Sequence, residues 1–345
     1  MNVARLTGLR NMSVTEVRTP CLAGPGDVLI RIMAVGVCGS DVHYYTTGRI
    51  GSQVVRFPFT VGHEAAGVVE SVGAKVTQLK PGDRVAVEPA ISCHECDQCR
   101  AGRPHTCRKL KFLGCPGQLE GCLGEFLVMP EECCLPIPDG MSYEVAALVE
   151  PLAIGLYAVR QSIPMRGARV GILGAGPIGL SVMLPALAEG AGAVYVTDRI
   201  DARCDMAAKH GAVWAGNPDR LDPVVEISKR EPLMLDVVFE CCGQQQALDQ
   251  GMELLKPGGK LVMIGIPEFD RYSFSAEVAR RRELCLQNVR RQNHCAERAI
   301  EMIATGKVAP EFMITHRFSL AQTKDAFDLV DRYADGVVKA MIRVD

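Results

Sequence analysis

The sequence predicts an α/β protein in two parts, a β-rich domain and a doubly wound parallel sheet, and three observations predict it. The 345-residue chain exceeds what a single hydrophobic core ordinarily organises. From Val28 to about Val87 the text is punctuated by glycine and rich in β-branched residues, as in "EAAGVVESVGAKVTQLKPGDRVAVEP", which reads as short strands joined by tight turns. From about Gly167 it changes to strand, glycine turn and helix in "ARVGILGAGPIGLSVMLPALAEGAGAVYVTD", followed by the apolar runs "LDVVFECCG" and "KLVMIGI". Strands alternating with helical stretches form parallel sheets.

Bulk composition narrows the function before any motif is read. A formal net charge of −2 and a pI near 6.4 leave no electrostatic footprint for nucleic acid or an anionic membrane, so the expected partner is a small molecule. Met1 to Ser13 lacks a basic stretch followed by an apolar one, and no run reaches the roughly 18 apolar residues of a spanning helix, so the expected compartment is the cytoplasm. Several of the 15 cysteines crowd into one segment, which suits metal ligation better than a disulfide framework. Cys133, Cys134, Cys241 and Cys242 sit among apolar residues and read as buried thiols. Arg280, Arg281 and Arg282, with Arg290 and Arg291 beyond, read as a solvated or subunit-contact face.

In the first domain, "GVCGSDVHYYTTGRIG" contains Cys38, and His63 stands 25 residues later in "GHEAAGVVESVG", followed by Glu64. A thiolate, an imidazole and a carboxylate, with Glu150 of "ALVEPLAIG" as a second carboxylate, can supply the three protein ligands that a catalytic zinc takes while one position stays open. The next segment, "CHECDQCRAGRPHTC", sets Cys93, Cys96 and Cys99 two residues apart from one another and Cys107 after a seven-residue loop. Four thiolates at that spacing close a tetrahedron around Zn²⁺, which makes the site structural and rigidifies a loop with little core of its own. An iron–sulfur cluster is the other metal reading. A nucleic-acid-binding zinc module is disfavoured, because the segment has few basic residues and no aromatic on which a base could stack.

The second domain opens on "ARVGIL" and then Gly174, Gly176 and Gly179, a G-x-G-x-x-G between strand and helix. The first glycine permits the turn, the second admits a pyrophosphate and the third lets helix pack on strand, as in Rossmann-type dinucleotide sites. Asp198 ends the next strand, "AVYVTD", where a carboxylate accepts from ribose hydroxyls and repels a 2′-phosphate. NAD is therefore expected over NADP, although Arg199 follows and an arginine there can accommodate that phosphate. Beyond about Asn288 the pattern turns to a helix "CAERAIEMIATG", a strand "FMITHRFSL" and a helix "AQTKDAFDLVDRYADG".

At these residues the chain resembles the zinc-dependent medium-chain dehydrogenases over nearly its whole length. The match to G-H-E-x-x-G-x₅-G-x-x-V runs from Gly62 and His63 through Gly67 and Gly73 to Val76. The resemblance implies a GroES-like catalytic domain of residues 1–151 and 290–345, a NAD-binding Rossmann domain of residues 152–289, and a homotetramer or homodimer. Within the family, "CGSDVHYYTTGRIG", "GHEAAG", "EPLAIG" and "THRF" resemble the polyol branch, typified by sorbitol and xylitol dehydrogenases, which oxidise a secondary alcohol to a ketone. L-Threonine 3-dehydrogenase shares the Cys, His and Glu arrangement. A nucleotide-binding redox sensor that has lost the chemistry is the reading from another class, and the intact Cys38, His63, Glu64 and Glu150 argue against it.

The resemblance also implies individual roles. Cys38, His63 and Glu64 would hold the catalytic zinc, with Glu150 on the metal or on its water. Ser40 and His43 would relay the alcohol's proton to solvent, and Tyr44, Glu150, Arg291 and Gln292 would face the substrate. Pro177, Ile178, Arg203, Ile264, Ile266, Val289 and Arg291 would border NAD(H), together with the three glycines, Asp198 and Arg199. The chain departs from the branch in two places. Gln292 stands where sorbitol dehydrogenases often carry tyrosine, and the four-cysteine lobe, absent from the mammalian enzymes, is complete.

Overall fold

A computed structural model describes residues 1–344. The chain forms two compact units, one of Met1–Glu150, Ala296–Gly306 and the chain from Pro310, the other of Pro151–Cys295 with Lys307–Ala309.

The first unit is built on a seven-stranded sheet in which Asp27–Gly36 is central. Along its first half this strand alternates, burying Val28, Ile30 and Ile32 while Arg31 faces solvent, the period-two pattern of a sheet with one wet face. Along its last three residues, Ala34 to Gly36, both faces are covered and every residue is buried. One edge of Asp27–Gly36 pairs with Glu64–Val72 throughout. The other edge changes partner, pairing with Phe126–Pro130 from Asp27 to Arg31 and with Lys339–Arg343 from Ala34 to Gly36. Close approach is what requires glycine at position 67, since a Cβ there would overlap the Arg31 carbonyl across the strand pair. The expected C-terminal elements are present as Ala296–Ala304, Ile314–Ser319 and Thr323–Asp331.

The second unit is a six-stranded sheet in the order Trp214–Gly216, Ala193–Thr197, Arg169–Leu173, Leu235–Glu240, Leu255–Met263 and Cys285–Asn288, with every neighbouring pair parallel. The first three strands in sequence run outward one way from Arg169–Leu173 and the last three run the other. That is the doubly wound order, whose reversal at the carboxyl ends of the strands is where such sheets bind ligands. The basic cluster divides: Arg280 and Arg281 are exposed, whereas Arg282 donates to the carbonyls of Met252, Glu253 and Leu255 and closes the end of helix Gln245–Leu254. Among the described residues no helix is long and apolar enough to cross a membrane.

Candidate metal and nucleotide sites

Cys38 stands at the N-cap of helix Gly39–Thr47, and Asp41 completes a capping box by accepting from the Cys38 N–H at 3.3 Å. The other oxygen of Asp41 accepts from the Gly62 N–H at 3.1 Å and lies 3.3 Å from His63 Nδ1. A single buried carboxylate therefore fixes both the segment carrying the thiol and the imidazole that meets it. Glu64 begins the neighbouring strand, and Gly36 opposite it must be glycine because a Cβ would overlap the Glu64 carboxylate. The result is a group of Cys38, His63 and Glu64 whose ligand atoms all lie within 4.8 Å of one another.

Charge is balanced around this group from far along the chain. Lys339 Nζ donates to both oxygens of Glu64 at 2.7 and 2.6 Å and to the Val37 carbonyl at 3.1 Å, and both side chains are only 1% exposed. Burial opposes protonation of His63, but the adjacent charges of Asp41 and Cys38 overcome it and raise His63 well above its usual range. Glu150 lies outside the group of three, yet it is buried, and desolvation pushes its carboxyl up to about 8 against the counteracting pull of His63. Among the described residues its Oε2 has no hydrogen-bond partner. A soft thiolate, an imidazole and buried carboxylates, one with an unsatisfied oxygen, are the donor chemistry that Zn²⁺ takes.

The remaining expected residues of this unit lie near the same helix. Ser40 Oγ is 3.3 Å from Cys38 Sγ, and His43 follows on the same helix face three residues later. Tyr44 is buried, with its hydroxyl donating to Gln53 Oε1 at 3.1 Å and 3.9 Å from Cys115 Sγ. Cys122, buried near His63, is held as a neutral thiol by desolvation.

The four-cysteine lobe is self-contained. Sγ separations are 3.4 Å for Cys93 and Cys107, 3.6 Å for Cys96 and Cys99, and 3.9 Å for Cys96 and Cys107. Backbone N–H groups of Cys99 and Arg108 lower Cys96 to about 6, and those of Cys93 and Lys109 each lie 3.3 Å from Cys107 Sγ. Amides turned toward the sulfurs stabilise thiolates, and the set could hold a structural zinc.

In the second unit Gly174 adopts φ +102°, and a Cβ on Gly179 would overlap the Gly174 carbonyl. Gly176 caps helix Pro177–Ala188, with Pro177 in its first turn, where the missing N–H costs no hydrogen bond, and Ile178 following, half-buried. Asp198 is fixed by two amides, Ala175 N–H at 2.7 Å and Ile200 N–H at 2.9 Å. Arg203 is buried with its Nη1 3.9 Å from Asp198 Oδ2, while Arg199 turns outward to Asp219 at 2.8 Å. Ile264 donates its N–H to the Glu240 carbonyl, Val289 donates to Met263, and Ile266 is 43% exposed. Arg291 has a left-handed backbone at φ +54°, and Gln292 Oε1 accepts from Cys295 N–H at 2.8 Å, so part of its hydrogen-bonding capacity is spent within its own loop.

Sequence reasoning did not single out Asp41, Lys339, Glu240 or Asp219. Glu240 is fully buried at the carboxyl end of its strand and accepts from the N–H groups of Cys242 and Gly243, shaping the loop that faces Gly174. A lysine inside the apolar run "GVVKAMIRV" was the signal for Lys339.

Residues 24–139 match the alcohol dehydrogenase GroES-like domain, and residues 177–305 match the zinc-binding dehydrogenase domain. The chain is 35% identical to sorbitol dehydrogenase of Bacillus subtilis, covering 99% of this chain and 97% of that protein. It is also 35% identical to L-idonate 5-dehydrogenase of Vitis vinifera, covering 99% and 94%. Among solved structures, a zinc-binding dehydrogenase from Sinorhizobium meliloti bound to NADP superposes with a TM-score of 0.91 at 32% identity, covering 99% of this chain and 98% of that one. Two matching domains and likeness along the full length make this chain a member of the zinc-binding alcohol dehydrogenase family.

Proposed function

We propose that this protein is a NAD-dependent polyol dehydrogenase, oxidising a secondary alcohol of a polyol or sugar-like substrate to a ketone, with catalysis in the first unit and the nucleotide in the second. The observation that carries this reading is the buried group of Cys38, His63 and Glu64, braced by Asp41 and Lys339 and accompanied by the unsatisfied oxygen of Glu150. The named relatives act on polyols or on a sugar acid of the same hydroxylated kind. Cys38 and His63 would hold Zn²⁺ with Glu64 or Glu150 completing the set, and the metal supplies a Lewis acid that makes a hydroxyl easier to deprotonate. NAD supplies the hydride acceptor.

The chain's own residues do the rest. Asp41 keeps the His63 ring in one orientation. Lys339 neutralises Glu64 and holds it in place. Ser40, beside Cys38 Sγ, and His43 on the same helix face would carry the alcohol's proton toward solvent. Asp198, anchored by two amides, keeps lone pairs for ribose hydroxyls and disfavours a 2′-phosphate. Tyr44, Arg291 and Gln292 would select among polyols, and a cytoplasmic homodimer or homotetramer is the form the family resemblance suggests.

The test is nicotinamide absorbance across sorbitol, xylitol, ribitol, galactitol, L-idonate, L-threonine and simple alcohols, with NAD and NADP in parallel and metal content measured on the same protein. The expected result is turnover of a polyol with NAD, lost on chelation, in protein carrying about two zinc ions per chain. Turnover of L-threonine or a simple alcohol alone would overturn the substrate class. Silence in protein with about one zinc per chain would favour a nucleotide-binding scaffold without chemistry.

A further inference from the structure

The strands Ala193–Thr197 and Trp214–Gly216 run parallel, with Thr197 opposite Gly216, so the segments that leave their carboxyl ends travel side by side. Asn217, only 9% exposed, braces the two. Its Nδ2 donates to the Arg199 carbonyl at 2.9 Å and to Asp201 at 2.8 Å, and its Oδ1 accepts from the Asp219 N–H at 2.9 Å. Two ion pairs cross between the same segments, Arg199 to Asp219 and Arg220 to Asp201.

Two arginines accompany Asp198, Arg203 buried beside it and Arg199 next to it in the chain. Arg203 lies 3.9 Å from it, with both side chains under 10% exposed, and its Nη1 would sit 3.5 Å from a Cβ on Gly176. Arg199 is exposed, its side chain 76% accessible, and among the described residues its ion pair is with Asp219. Asp198 cannot swing aside, because two amides bind its two oxygens. Arg199 has no such constraint. Its bond to Asp219 is an exposed ion pair, a weak interaction, whereas a phosphate dianion offers an arginine a charge-assisted, bidentate partner.

We propose that Asp219 is a specificity-determining residue of the nucleotide site: by engaging Arg199 it masks a latent 2′-phosphate pocket made by Arg199 and Arg203. This rests on reading the second unit as a NAD site. Discrimination against the 2′-phosphate then has two layers. Asp198 repels the phosphate directly, and Asp219 competes for one of the cations that would otherwise receive it.

The test is calorimetric titration of 2′,5′-ADP and 5′-AMP into the wild type, Asp219→Asn, and Asp219→Asn combined with Arg199→Ala. Asparagine keeps the size of the side chain and the backbone N–H that Asn217 accepts. In Asp219→Asn the ratio of 2′,5′-ADP to 5′-AMP affinity is expected to rise about fivefold, and Arg199→Ala should cancel the gain. An unchanged ratio, or a gain that survives Arg199→Ala, overturns the proposal and leaves Asp219 as a brace of the loop. A wild type that already prefers 2′,5′-ADP overturns the mask as well. If neither nucleotide binds the wild type, the NAD reading falls, and the proposal falls with it for a reason the first two outcomes do not share.

Discussion

The two cysteine-containing ligand groups of the first unit are built on opposite plans. Cys93, Cys96, Cys99 and Cys107 come from one short segment, are mostly half-exposed, and draw their stabilising amides from the same loop. Cys38, His63 and Glu64 come from a helix cap and the start of a strand, and their group is finished by a lysine 275 residues from the glutamate it neutralises. The four-cysteine lobe can assemble wherever its own backbone folds. The other group exists only where a whole sheet has closed. A site built for rigidity can be local, whereas one that must keep a position open for a ligand needs outside parts to hold its residues still.

The largest effect that would sharpen this contrast is expected from Cys38→Ser set against Cys96→Ser. The first should cost at least about a thousandfold in turnover while NADH binding and thermal stability stay near wild type, because the ligand set and not the fold is altered. The second should release zinc and lower thermal stability, with turnover falling only in proportion to folded protein. Metal analysis beside melting curves and rates would separate the two. Near-normal activity of Cys38→Ser in saturating substrate with chelator present would break the zinc reading.

Next in size is Lys339→Met, which strands Glu64 as a buried carboxylate without its partner. Breaking a buried pair by removing one member costs about 3–5 kcal/mol, measured by denaturant unfolding, and Lys339→Met combined with Glu64→Gln should recover much of that stability without recovering turnover. If the single variant is as stable as the wild type, the pair does not hold the site together.

The smallest expected effect lies away from both metal groups. Glu144 accepts from Arg317 and Arg343; burial works against its ionisation, but the two guanidinium groups prevail and keep its carboxyl below the ordinary range. A carboxylate with a depressed folded-state pKa stabilises fully above its unfolded value and loses that stabilisation as pH falls through the folded one. Glu144→Gln should therefore cost about 1 kcal/mol near neutrality, discounted for the half-exposed arginines, and nothing in acid below the folded pKa. A pH-independent difference in unfolding free energy would assign the effect to packing.

What the sequence made legible follows the same division between local and distant. The glycine turn, its helix and Asp198 were readable because each requirement is met within one βαβ segment, and the four-cysteine lobe because its spacing alone closes a tetrahedron. Cys38, His63 and Glu64 were readable only as a likeness, since nothing in 25 residues of separation says that a helix cap and a strand start converge. Asp41 lay within a quoted motif without a role, because its task is to join two segments by hydrogen bonds that no periodicity encodes. Asp219 was hidden for a related reason: only the parallel pairing of two strands brings it beside Arg199. The basic run Arg280, Arg281 and Arg282 reads as one surface feature, yet the third arginine turns inward to cap a helix.

The change of partner along Asp27–Gly36 has a consequence for the order of events during synthesis. The edge of Ala34 to Gly36 away from Glu64–Val72 is filled by a strand made some 300 residues after it, and that strand brings Lys339. Until the ribosome has released this strand, Glu64 has no counter-charge and the apolar end of Asp27–Gly36 has an open edge. The four-cysteine lobe, complete by Cys107, can take up metal from a nascent chain. The Cys38 group must wait for the strand that carries Lys339, which makes it a record that translation reached the last strand of its sheet.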